Sequence, residues 1–152
     1  MLAREFFEQA REAQRAIDRR ISNLESMCSR EGVRAQRYDT IGKSFGIRDV
    51  MAQTDARMDA ERRAMEEIQE LNGEVTDARA VCRGIRAANP NHKIWGDILE
   101  FRYLEDMPWR RLSDAMGISV RTAQVEHAAA LDWVDSVGIA AARSGCGQAA
   151  LL

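Results

Sequence analysis

The sequence is short of residues that interrupt helices or build reactive sites. Only two prolines occur in 152 residues, Pro90 and Pro108, so long stretches are free of the residue that breaks helix interiors. The three cysteines, Cys28, Cys82 and Cys146, are odd in number and show no CxxC or metal-ligand spacing. That excludes a disulfide framework and a zinc knuckle and predicts reduced thiols. The two histidines, His92 and His127, stand 35 positions apart with no ligand cluster around them, so no metal site is expected. No apolar run approaches the roughly 20 residues that span a bilayer, and no membrane partner is expected. "MLAREFFEQAREAQ" carries charges every few residues, unlike a secretory signal; a soluble, cytoplasmic protein is the expectation. No nucleophile, base and orienting group fall into a catalytic pattern. The chain is therefore expected to be no enzyme, with no catalytic residues, no cofactor and no metal.

A basic excess is also missing. The net charge is −2, unevenly spread. Residues 1–48 hold ten Arg and Lys against seven Asp and Glu, residues 49–88 six against nine, and residues 89–135 five against eight. A dedicated nucleic-acid binder normally shows basic excess where it meets phosphate. "IGKSFG" offers no substitute, because a phosphate-binding loop needs a glycine five residues before Gly42, and Arg37 stands there.

What is abundant is helix-forming: Ala, Arg, Glu, Met and Leu lose little side-chain freedom in a helix. An all-α fold is expected. Residues 2–28 read as one amphipathic helix with Phe6, Ala10, Ala13, Ile17, Leu24 and Met27 at heptad spacing, widened by Phe7, Ile21 and Cys28. "SREGVRAQRYDTIGKSFGIRD", residues 29–49, has three glycines and weak periodicity and reads as a connector. A second helix is predicted from Asp49, a candidate N-cap. Met51, Met58 and Met65 continue its heptad line and are expected to pack between helices. The phase slips at "LNG" (71–73), suggesting a kink or break. Leu71, Val75, Ala78, Cys82 and Ile85 then resume the stripe. The expected organisation is a helical hairpin or coiled coil over 1–88, suited to self-association as a dimer. A three-helix helix-turn-helix domain follows over 89–138, and then a flexible tail over 139–152.

Asn89 and Pro90 suit the start of a new helix, and three short helices follow at 91–105, 108–116 and 120–135. "WRRLSDAMGISVRTAQVEHAAAL" (109–131) has the wording of a helix-turn-helix. Gly117 tolerates the positive φ of a tight turn, Ile118 plugs between the helices, and Ser119 caps the second. Leu112, Ala115 and Met116 form the inner face of the first helix. Ala123, His127, Ala130, Leu131 and Val134 form that of the second. His127 is thus expected in the core, with Trp109 and Trp133 as packing anchors. The opposite face of the second helix presents Arg121, Val125, Ala128 and Asp132, flanked by Thr122 and Gln124. Arg can read guanine, Gln adenine, and Val a thymine methyl, while Arg110 and Arg111 suit phosphates.

"ILEFRYLEDMPWRRLSDAMGIS", then His127 and Ala130-Leu131, resembles region 4 of sigma-70-type factors. It is more similar still to small phage and prophage regulators of the ArpU and RinA late-gene activator type. Arg102-Tyr103, Trp109, Gly117-Ile118-Ser119 and His127-Ala130-Leu131 match their pattern in order and spacing. The resemblance covers residues 94–135. It implies a transcriptional regulator that binds double-stranded promoter DNA, with RNA polymerase contact as a possible aid to binding. Arg121, Thr122, Gln124 and Val125 then face bases, and Trp109, Arg110 and Arg111 face the backbone, with Ser119 at the helix start. The recognition helix departs from that pattern in carrying one basic residue, Arg121, before the acidic Glu126 and Asp132, so weak unaided binding is expected. The acidic balance also fits a helical adaptor that binds RNA polymerase or a sigma factor without touching DNA. A small terminase-type packaging protein is a third reading.

Overall fold

The computed structural model describes the backbone of residues 1–41 and 47–147, and side chains over 1–30, 51–52 and 54–147. Every element among these residues is helical. The order is α1 (Ala3–Ile41), α2 (Ile47–Ala88), α3 (Ile94–Leu99), a π-helical turn (Glu100–Leu104), α4 (Trp109–Met116), α5 (Val120–Val137) and α6 (Ile139–Arg143).

Three boundaries differ from the sequence reading. The connector expected over 29–49 is helical on both sides of residues 42–46, as α1 runs to Ile41 and α2 already includes Asp49. Asp49 is therefore inside the helix and not its cap. Apolar spacing is weak there, but Arg, Glu, Gln and Ala favour helix by intrinsic propensity whatever that spacing. The slip at Leu71–Gly73 does not break α2, because a single glycine costs a helix only about 1 kcal/mol. Asn89 caps backwards: its Nδ2 donates to Ile85 O at 3.0 Å, closing α2, and the next helix starts only at Ile94. The same carbonyl accepts the Asn89 backbone N–H at 3.0 Å, so backbone and side chain close the helix together.

The chain forms two compact units, Met1–Gln14 with Gly73–Leu152, and Arg15–Asn72. In the first, Ala3, Phe7 and Ala10 are buried, as are Val75, Ala78, Val81, Cys82 and Ile85 of α2 and Ile98, Leu99 and Leu112 further on. The first fourteen residues thus belong with the C-terminal helices, and the contacts divide the chain elsewhere than at residue 88. Phe7 stacks on Tyr103 with centroids 5.5 Å apart. Arg11 Nε donates to Asp106 Oδ1 at 2.8 Å and its Nη2 to Arg102 O at 3.2 Å. Asp106 adopts φ 50°, a left-handed conformation that Asp tolerates better than most residues. Arg86 bridges the next layer, donating to Asp97 Oδ1 at 2.8 Å and to Glu100.

The tail expected from residue 139 is helical over Ile139–Arg143, with Ala142 fully buried. Gly84 makes this possible: a Cβ built there would lie 1.8 Å from Ala142 O.

In the second unit, Arg20 Nε meets Glu67 Oε2 at 2.5 Å and Cys28 Sγ lies 3.9 Å from Glu61 Oε1. These pairs rise along one helix and fall along the other, so the two stretches run antiparallel. Ile17 is buried, and Leu24, Ile68 and Leu71 are half-buried. Ile21, Met27 and Cys28 of the expected stripe are exposed. The methionine line is corrected too: Met51, Met58 and Met65 are 62%, 58% and 58% exposed. Two facing helices bury one sector each, and that of α2 runs through Ala60, Ala64 and Ile68.

Burial pushes the Cys82 thiol up to about 12, with the Glu100 carboxylate adding to the effect, while Cys28 and Cys146 are exposed. Since the thiolate is the reactive form, a thiol reagent should label two cysteines in the native protein and the third only after unfolding. Three equal labelling rates would contradict the buried position of Cys82.

Candidate nucleic-acid interface

The segment of greatest functional interest is α4, its turn and α5. Pro108 stands extended before α4 with ψ 154°, the geometry proline favours just outside a helix. At the far end Gly117 takes φ 68°. Both its N–H and that of Ile118 donate to Ser113 O, so two amides share one last-turn carbonyl, as in a left-handed helix cap. Ser119 is extended, and its Oγ accepts from Thr122 N at 3.1 Å while donating to Thr122 Oγ1 at 2.8 Å. The three residues between the helices thus hold one glycine that tolerates positive φ, one apolar plug and one cap.

Ile98, Leu112 and Ala123 form the centre beneath this turn, packed against Ile94, Phe101, Met107, Trp109, Met116 and Ile118. On α5, Ala123, His127, Ala130, Leu131 and Val134 are all buried, together with Trp133. His127 Nε2 and the Tyr103 hydroxyl share a hydrogen bond at 3.0 Å, and the Trp109 ring meets His127 edge-on with centroids 5.0 Å apart. Burial, then the positive charges of Arg4, Arg102 and Arg11, lowers the His127 pKa to about 4. The ring is neutral at pH 7 and structural.

The opposite face of α5 is open. Arg121, Thr122, Gln124, Val125, Ala128 and Asp132 are exposed, Val125 by 58%. Arg110 and Arg111 of α4 are exposed as well. Among the described residues none of the three arginines makes an ion pair, so their guanidinium groups are available to an outside anion. Trp109 is placed differently from these. It is half-buried, with the Arg102 guanidinium 4.5 Å from its ring centroid and His127 at its edge. Ser119 and Thr122 are turned partly towards each other by the cap.

Two features here were not readable from the residues alone. Glu126, which looked like an acidic mark on the recognition helix, is half-buried and accepts from Trp95 Nε1 at 2.7 Å. Asp132 is on the exposed line but eleven residues past Arg121, about 16 Å along the helix at 1.5 Å per residue. Glu126 is thus turned towards Trp95 and Asp132 is set further along the helix, so neither lies among Arg121, Gln124 and Val125. The second feature is the anchoring of Tyr103 by Phe7 and Arg11, which lie some ninety positions earlier in the chain. No local sequence signal marks such a pairing.

Comparison with protein-family models, curated proteins and solved structures finds no match for this chain. The site therefore has to be read from its own chemistry. Among the described residues no group of three His, Cys, Asp or Glu side chains is placed to hold a metal. No described helix is long and apolar enough to cross a membrane.

Proposed function

We propose that the chain is a DNA-binding transcriptional regulator of the phage or mobile-element kind. In this reading α4 and α5 act as a sigma region 4-like helix-turn-helix, α5 enters the major groove, and the N-terminal helices form a hairpin that serves self-association. The observation that carries it is the division of α5: one face fully committed to the core, the other presenting Arg121, Gln124 and Val125 with nothing attached. A helix in the major groove contacts bases chiefly through its N-terminal residues, where these three lie. Arg121 pairs with guanine, Gln124 with adenine, and Val125 meets a thymine methyl. Arg110 and Arg111 hold phosphates and set register. Ser119 and Thr122 contribute mainly through the cap, and Trp109 by holding the start of α4. The acidic balance of residues 89–135 keeps affinity modest, so RNA polymerase contact or dimerisation strengthens it.

The test is binding of the chain to DNA from upstream of its own gene cluster, followed by fluorescence anisotropy across a salt series, with and without RNA polymerase. Each base-reading pair is worth about 1–3 kcal/mol. Replacing Arg121 and Gln124 together by Ala should therefore weaken specific binding roughly 30-fold or more with an unchanged circular dichroism spectrum. The acidic balance supports a second reading, an adaptor that docks on RNA polymerase or a sigma factor without DNA. Binding to polymerase that is indifferent to DNA and to the double substitution would establish the adaptor and overturn the regulator.

A further inference from the structure

The second unit carries an apolar surface that its own helices leave open. Met51, Met58 and Met65 recur every seven residues on α2 and are each more than half exposed. Ile21 on α1, also exposed, lies one heptad before Cys28, whose Sγ is 3.9 Å from Glu61 Oε1. Glu61 sits between Met58 and Met65 on the adjoining row, so Ile21 falls on the same edge of the helix pair as the methionines. Contiguous apolar surface of this kind marks an interaction site more often than chance exposure does.

The charges beside the line say which partner fits. At 100° per residue, Asp55 and Arg62 stand roughly 60° and 40° from Met58 on the same side of the methionine line. Asp55 makes no ion pair among the described residues. Arg62 contacts Asp59 through Nη2 at 3.1 Å, which leaves other guanidinium donors open. Two copies related by a two-fold axis perpendicular to their helices bring like edges together, and the contacts are reciprocal. With Met58 on that axis, Met51 meets Met65 of the other copy. Asp55 then comes within one residue of register with Arg62 of the other copy, twice by symmetry. A parallel pair would put opposite edges together: Arg62 would then meet Glu61 of the other copy, a carboxylate already paired with Arg57 at 3.5 Å, and Asp55 would have no match.

We propose that the Met51–Met58–Met65 face binds a second copy of this chain, antiparallel, with two Asp55–Arg62 ion pairs along its border. This names the surface for the self-association proposed above, and it stands whether or not α5 reads DNA. The test is light scattering on the 152-residue chain. The expected mass is twice 17.1 kDa, and Met58→Asp should bring it to the monomer value with helical content retained. Asp55→Arg and Arg62→Asp should each shift the equilibrium towards monomer, and the two together should restore the dimer. A monomeric wild-type chain would overturn the proposal. So would a dimer that Met58→Asp leaves intact, or single charge reversals without rescue in the double variant. The DNA titration of Arg121→Ala/Gln124→Ala is read separately, since those positions lie in the other compact unit.

Discussion

Acidifying the protein from pH 6.5 to pH 5 is expected to reduce its unfolding free energy by about 1.5 kcal/mol through His127 alone. In the folded chain this ring has its pKa lowered to about 4 by burial and by the nearby arginines, against about 6.5 when unfolded. Between these values the unfolded chain binds a proton that the folded chain refuses. Stability is therefore full above about pH 6.5 and is lost progressively as pH falls towards 4, approaching about 3 kcal/mol. The upper part of that window is the informative one, because most carboxylates are still ionised there. Urea unfolding at steps between pH 7 and 5 measures the slope. His127→Gln, which retains a polar partner for the Tyr103 hydroxyl but cannot titrate, should flatten it. A flat profile in the wild type, or an unchanged slope in His127→Gln, would show that the ring is not held neutral as its surroundings require.

Gly84→Ala should be the most damaging single-methyl change in the first compact unit. A Cβ at this position would lie 1.8 Å from Ala142 O and 2.8 Å from Arg143 O, and backbone atoms cannot swing aside as a flexible side chain can. Overpacking of this kind costs about 1–3 kcal/mol or more. It outweighs the roughly 1 kcal/mol that Ala gains over Gly in a helix. The strain is relieved by undocking α6, which exposes Ala142 and opens residues 139–147 to proteases. Gly73→Ala is the matched control. It sits in the same helix with nothing within 4 Å of the added carbon, so it should stabilise by about 0.5–1 kcal/mol. Opposite signs for the two substitutions in urea unfolding would confirm that Gly84 is a close-approach residue. If both stabilise, α6 does not rest on α2.

The C-terminal helices were legible because each rests on local chemistry. Gly117, Ser119 and the stripe Ala123, His127, Ala130, Leu131, Val134 announce a turn, a cap and a buried face within eighteen residues. Apolar spacing is read reliably where a helix packs along its whole length. The same rule failed over 29–41, where helix continues through a stretch of weak apolar spacing. It failed again at Met51, Met58 and Met65, where a stripe exists without burial inside the chain. Periodicity records that a face is apolar; it does not record what covers it.

The sequence by itself determined the all-helical class, the face of α5 that packs, and the exposure of Arg121, Gln124 and Val125 on the other face. These follow from helix propensity and from the 3.6-residue repeat, both properties of neighbours along the chain. Only the tertiary structure decided that Glu126 turns to Trp95, that Phe7 and Arg11 anchor Tyr103, and that Gly84 admits α6. Each of these depends on which surfaces meet after the chain has folded back on itself. Contacts across thirty to ninety-five residues leave no periodic trace, because they are fixed by the shape and charge of a partner surface and not by spacing.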